Sequence, residues 1–134
     1  MAALTTAQVA ALTTEQVANM TSAQIRAFEN VDLQAMGTDQ LVALTTDQID
    51  KLSTAQLNAL TSEQIPALTT THLQELGSAQ IAALSSDQLR ALVATQYAAM
   101  LADQVQAIST TNIAALESGD VAGFTSTQVA ALST

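Results

Sequence analysis

The chain of 134 residues carries three Lys or Arg against twelve Asp or Glu, one His and no Cys, for a net charge of −9. Three cations are too few to neutralise a phosphate backbone, so nucleic acid is not an expected partner. The lack of Cys excludes disulfides and thiolate metal sites.

From Leu4 to Ala131 the sequence divides into sixteen octads without insertion or deletion. Met1-Ala2-Ala3 continues an earlier octad and Leu132-Ser133-Thr134 begins another, so residues 1–134 are expected to be one repeat array. Position one is always large and apolar; position six is Val, Ile or Leu except at Tyr97. Position five is Gln in twelve octads and position eight is Ala in twelve, whereas positions four and seven vary freely. Restriction marks the inside of a fold and free variation marks solvent.

A continuous α-helix does not fit this period, because eight residues at 100° each turn the apolar stripe by about 80° per octad. A β-solenoid suits an even period and is the alternative, but Ala is a poor strand former and four Gly are few for corners. One short helix per octad fits best. Ser or Thr followed three residues later by Gln is a capping box, with acids such as Glu15 and Asp39 in the first turn where the helix dipole favours them. The Gln spacing puts the cap at position two, while Ser/Thr occupancy favours position three. Positions five, six, eight and the next position one then share one arc, with three, four and seven opposite. Helices this short do not stand alone and must stack as coils of an all-α solenoid. Two octads per coil are expected, giving eight coils and a rod of about 75 Å at ~9–10 Å per layer; three per coil is the second choice.

Along the chain, LTTAQVAA, LTTEQVAN and MTSAQIRA open the array as near-regular copies. Phe28-Glu29-Asn30-Val31-Asp32-Leu33 is a degenerate one. Gly37 and Gly77, each after a large apolar residue, suit helix stops. Pro66 removes an N–H late in its helix and is expected to kink it or cut it short. Between Gln88 and Ile108, Val93-Ala94 and Leu101-Ala102 replace the capping pairs. Either stacking overrides this loss, or Leu89, Val93, Tyr97, Leu101 and Val105 at spacing four fuse several octads into one longer helix. FTSTQVAA closes the array.

Octads such as Leu44-Thr-Thr-Asp-Gln-Ile and Leu12-Thr-Thr-Glu-Gln-Val resemble the LTxxQ-type tandem repeats of very large bacterial secreted or surface proteins. The likeness covers essentially the whole chain and implies a stalk, adhesin-like or fibre segment outside the cell. Leu12-Thr-Thr-Glu-Gln-Val-Ala also resembles the opening of the first helix in transcription-activator-like effector repeats. That similarity spans one octad, lacks the base-reading loop, and supports a helix start alone.

Residues able to carry chemistry are sparse. His72, the sole His, stands where Gln usually stands and reads as a substitute in the same cap. Asp47 with Asp50, or Asp32 with Asp39, could pair as carboxylates, but a solvated face accounts for them. No calcium loop, phosphate loop, Ser-His-Asp set or Cys/His cluster occurs, so no catalytic, cofactor or metal site is expected and the chain does not read as an enzyme. No run approaches the eighteen apolar residues of a membrane span, and Met1-Ala-Ala-Leu-Thr-Thr has no signal-peptide pattern. The leading expectation is a structural stalk or spacer, extracellular or on the cell surface, that associates with itself end to end or laterally into filaments. A protein-binding scaffold using a patch at Val93, Tyr97 and Leu101 is the alternative. A lesser one is an ice-binding array of Thr5, Thr13, Thr21, Thr45, Thr61 and Thr69 on one edge.

Overall fold

The computed structural model describes residues 3–132, so the partial repeats 1–3 and 132–134 lie mostly outside the described residues. Each octad forms one turn or so of helix. The helices are α1 Thr6–Ala10, α2 Thr14–Asn19, α3 Ser22–Arg26, α4 Asn30–Ala35 and α5 Thr38–Val42. Next come α6 Thr46–Asp50, α7 Thr54–Ala59, a 3-10 turn Ile65–Ala67, α8 Thr70–Glu75, α9 Ser78–Ala82 and α10 Ser86–Ala91. The last are α11 Ala94–Ala99, α12 Ala102–Ala107, α13 Thr110–Ala115, α14 Ser118–Val121 and α15 Ser126–Ala131. No strand occurs among the described residues, which removes the β-solenoid alternative.

Position two is the N-cap of every α-helix, settling the one-residue ambiguity. At Thr13 the hydroxyl accepts from the Gln16 N–H (3.1 Å) while Gln16 Oε1 accepts from the Thr13 N–H (2.8 Å). Both halves of the box are not required. Val93 and Leu101 have no hydroxyl, yet their N–H groups still reach Gln96 Oε1 (2.9 Å) and Gln104 Oε1 (2.8 Å). The reciprocal half of the box, together with stacking, keeps α11 and α12 separate, so the fused helix does not form.

Gly37 and Gly77 are not helix stops. They are N-caps with φ of −73° and −74°, and no described residue has positive φ. Glycine is tolerated at an N-cap but supplies no acceptor. A Cβ on Gly37 would meet only the Gln40 Oε1 at 3.8 Å, an ordinary contact. Gly37→Thr is therefore expected to raise stability by about 0.5–1 kcal/mol, from a restored cap and a less flexible unfolded chain. Urea denaturation measures this directly. Pro66, as expected, cuts its helix short: lacking an N–H, it leaves only the 3-10 turn, closed by Ala67 N–H to Gln64 O at 3.0 Å.

The number of octads per coil is three, not two. Helices pack on the helix three octads along: α1 on α4, α4 on α7, α7 on α9, α9 on α12 and α12 on α15 form one column. A second column runs α2, α5, the 3-10 turn, α10, α13, and a third contains α3, α6, α8 and α11. The coil is a triangle with a short helix on each side and a capped corner between sides. Two per coil fails because nothing in the sequence alternates at sixteen residues, and because a third side leaves room inside for both large apolar positions. Sixteen octads make five coils and a third, about 50 Å of rod at ~10 Å per layer rather than 75 Å.

The core is one continuous column of position-six and position-one side chains. Val9, Val17, Ile25, Leu33, Leu41, Ile49 and their successors through Val105 are essentially unexposed, and position one is nearly so from Phe28 to Ile108. Position eight, mostly Ala, is part-buried in the middle coils, as close approach between layers requires.

Candidate functional site: the glutamine corners

Among the described residues eleven buried polar or charged side chains line the core, and all stand at position five. Capping needs only the oxygen of Gln; the amide nitrogen turns the other way. Gln40 Nε2 donates to the carbonyls of Val9 (2.9 Å) and Leu12 (2.6 Å) in the coil beneath. Gln48 does the same to Val17 and Met20, Gln64 to Leu33 and Met36, and Gln104 to Leu73 and Leu76. The acceptors lie 31 and 28 residues back, at the C-terminal end and corner of the earlier helix. One side chain thus satisfies an orphan N–H of its own helix and two orphan carbonyls of the next layer. No buried side-chain N or O lacks a partner among the described residues.

A second amide row runs forward instead. Gln34, Asn58 and Gln74 at position seven donate to Ala59, Ala83 and Ala99, each 25 residues ahead. Sequence reasoning found the cap but missed the ladder. The signal was available: a capping box accepts Glu as readily as Gln, and the helix N-terminus favours an acid, yet Glu never occupies position five.

His72 fits the expected substitution. Its Nδ1 accepts from the Thr69 N–H (3.4 Å) and its Nε2 bonds the Leu44 carbonyl (2.7 Å), which assigns a neutral ring protonated at Nε2. It serves one carbonyl below where Gln serves two. Burial lowers its pKa, and the Leu44 hydrogen bond opposes this in part. The folded ring therefore binds protons less readily than the unfolded one, titrating near ~6.5. Its contribution is complete above that pH and is lost as pH falls through the lower folded value. His72→Gln is expected to add about 1 kcal/mol at pH 7 by reaching Leu41 as well, and to flatten the loss of stability as pH falls below about 6.5; thermal melts across pH test both.

The proposed carboxylate pairs are not brought together as sites. Asp32 is buried and accepts from the Glu29 N–H (3.1 Å), Asp39 is exposed, and Asp50 pairs with Lys51 while Asp47 faces solvent. No cluster of His, Asp or Glu that could hold a metal occurs among the described residues. No described helix is long and apolar enough to cross a membrane.

The patch at Val93, Tyr97 and Leu101 does not form. Tyr97 is unexposed, with its hydroxyl donating to the Leu89 carbonyl and its ring 4.9 Å from that of Phe124. Val93 and Leu101 are about half exposed but stand on successive corners of the triangle. The six Thr do not share an edge either. Thr21, Thr45 and Thr69 fall on one corner column, Thr13 and Thr61 on another and Thr5 on the third. Each hydroxyl accepts a capping N–H.

Fold and corners together define a short-helix solenoid whose repeat is a capped octapeptide. The ALTTAQ repeat model matches residues 1–30, 22–62, 33–70 and 62–93, so the chain belongs to the ALTTAQ repeat family. The coils continue past the matched stretch to residue 132, through octads in which Asn112 and Asp120 replace Gln. No curated protein and no solved structure matches the chain.

Proposed function

We propose that the chain is a non-catalytic spacer on the outside of the cell, a rod that holds what flanks it at a set distance and angle. What supports this reading is the glutamine ladder: it ties each corner to the corner below with the same pair of bonds, so one coil fixes the height and rotation of the next. Stability that accumulates through neighbours suits a chain whose length is the adjustable quantity. The resemblance to bacterial surface-protein repeats supports the location.

Energy transfer between fluorophores placed at the two ends tests the mechanical claim. A second copy of residues 36–59, one full coil, should lengthen the rod by about 10 Å without changing the exit direction. An eight-residue insertion should instead rotate the exit by a third of a turn. An unchanged distance after the 24-residue insertion would overturn the reading. Complete protection from added protease in intact cells would overturn the location.

A further inference from the structure

We propose that the rod is also an extensible tether, which unwinds octad by octad under tension and rewinds when the tension falls. This rests on the spacer reading and adds its behaviour under load.

The coils stack on one axis, so a chain that climbs from coil to coil transmits a pull along that axis and across each layer boundary. What resists the pull is the set of contacts between neighbouring coils. Helices in substantial contact are three octads apart. The side-chain bonds between coils are equally local: 31 and 28 residues for the glutamine ladder, as from Gln64 to Leu33 and Met36, and 25 for the forward amide of Gln34. No stronger staple joins the layers. The chain has no Cys, and the two ion pairs among the described residues, Lys51 with Asp50 and Arg90 with Asp87, each stay within one octad. The load therefore falls on one corner at a time, on the ladder bonds of a single Gln and on the large apolar side chains of its octad. A corner pulled along its bonds opens singly, as in unzipping; only bonds loaded side by side would share the force.

The octad is also the unit of recovery. Alone it is too short to hold a helix, so once off the stack it becomes extended chain, about 28 Å long at ~3.5 Å per residue. Its start signal travels with it. Thr45 and Gln48, for example, exchange both capping bonds (2.7 and 3.3 Å) within their own octad. Rewinding closes loops of one coil, which carries a small entropic cost and favours fast re-formation. No described residue has a positive φ that must be found again. The layer beneath supplies the template, since its corner carbonyls and apolar column stay in place while the octad above is gone.

Optical tweezers on the 134-residue chain, with a handle attached at each end, test this. Stretching should give a force plateau built of steps of about 25 Å, one octad each, and relaxation should retrace it. A second copy of residues 36–59 should lengthen the plateau by about 75 Å at unchanged force. Gln88→Leu removes the ladder bonds of one inner corner and should lower the force at which that part of the plateau opens. A single rip that releases the whole chain at once overturns the proposal, as does a plateau that relaxation fails to retrace. An added coil that raises the force, or an unchanged force in Gln88→Leu, overturns it too, because the corners would then not open singly against their ladder bonds. The fluorophore distances are read without load, so the spacer reading stands or falls separately.

Discussion

Gln88→Leu is expected to cost about 3–4 kcal/mol, the sum of an uncapped N–H and carbonyls left without donors in a buried corner. Gln88 Oε1 accepts from the Ser85 N–H (3.0 Å), and its Nε2 donates to Leu57 (3.0 Å), Asn58 (3.0 Å) and Leu60 (2.8 Å). Leucine fills a similar volume, so most of the loss is polar. Gln16→Leu is the control. Gln16 caps Thr13, and its amide donates to no group among the described residues, so its loss in this chain should stay near 1 kcal/mol, the ordinary value of a cap. The difference between the two isolates the inter-coil bonds. Gln88→Glu keeps the acceptor but turns an anionic oxygen toward carbonyl oxygens, so it should be least stable at neutral pH and recover on acidification as the carboxyl protonates. Urea denaturation of all three checks the order: a loss at Gln88 no greater than at Gln16 would remove the ladder as the source of coil-to-coil rigidity.

That ladder marks the boundary of what the residues disclosed. Positions one, five and six were legible because burial restricts them, and the capping box was legible because its spacing is local. The coil count was not, because it depends on which octads touch across 24 residues. Its trace lay in the positions that looked unconstrained. Glu15, Asp39, Glu63 and Asp87 recur at position four every 24 residues and share one column. So do the amides of Gln34 and Asn58, each reaching a carbonyl one coil ahead. Gly37 misled for a different reason. A glycine after an apolar residue suggests a left-handed stop, but the chain here leaves each helix through extended or αR geometry at Met36 or Ala43, and the glycine merely begins the next. Val93 and Leu101 misled by removing half of a box whose other half was enough.

Tyr97 shows how an irregular octad is absorbed, and its removal is expected to be among the costliest single changes. Asp120 stands where a Gln would serve the Leu89 and Leu92 carbonyls, but a carboxylate has no proton to give; it accepts from the Glu117 N–H (2.9 Å) instead. The Tyr97 hydroxyl, from within the coil below, donates to Leu89 in its place. Burial first, and then the Asp120 charge, push the Tyr97 pKa well above the usual tyrosine range, so the phenol keeps the proton it donates. The larger ring needs space above it, and Gly123 replaces the usual Ala: a Cβ there would lie 3.1 Å from the Ala94 Cα and 3.3 Å from the Tyr97 Cβ. Tyr97→Ser should therefore cost about 4 kcal/mol, from a cavity plus an unserved carbonyl. Tyr97→Phe, which keeps the ring, should cost about 1–3 kcal/mol. Adding Asp120→Gln to Tyr97→Phe supplies the missing amide and should recover most of that loss, whereas Asp120→Gln alone finds Leu89 already served. Stability of the four members of this cycle, measured by denaturation, should be non-additive by about 1 kcal/mol or more; additive effects would mean that the tyrosine and the aspartate are independent.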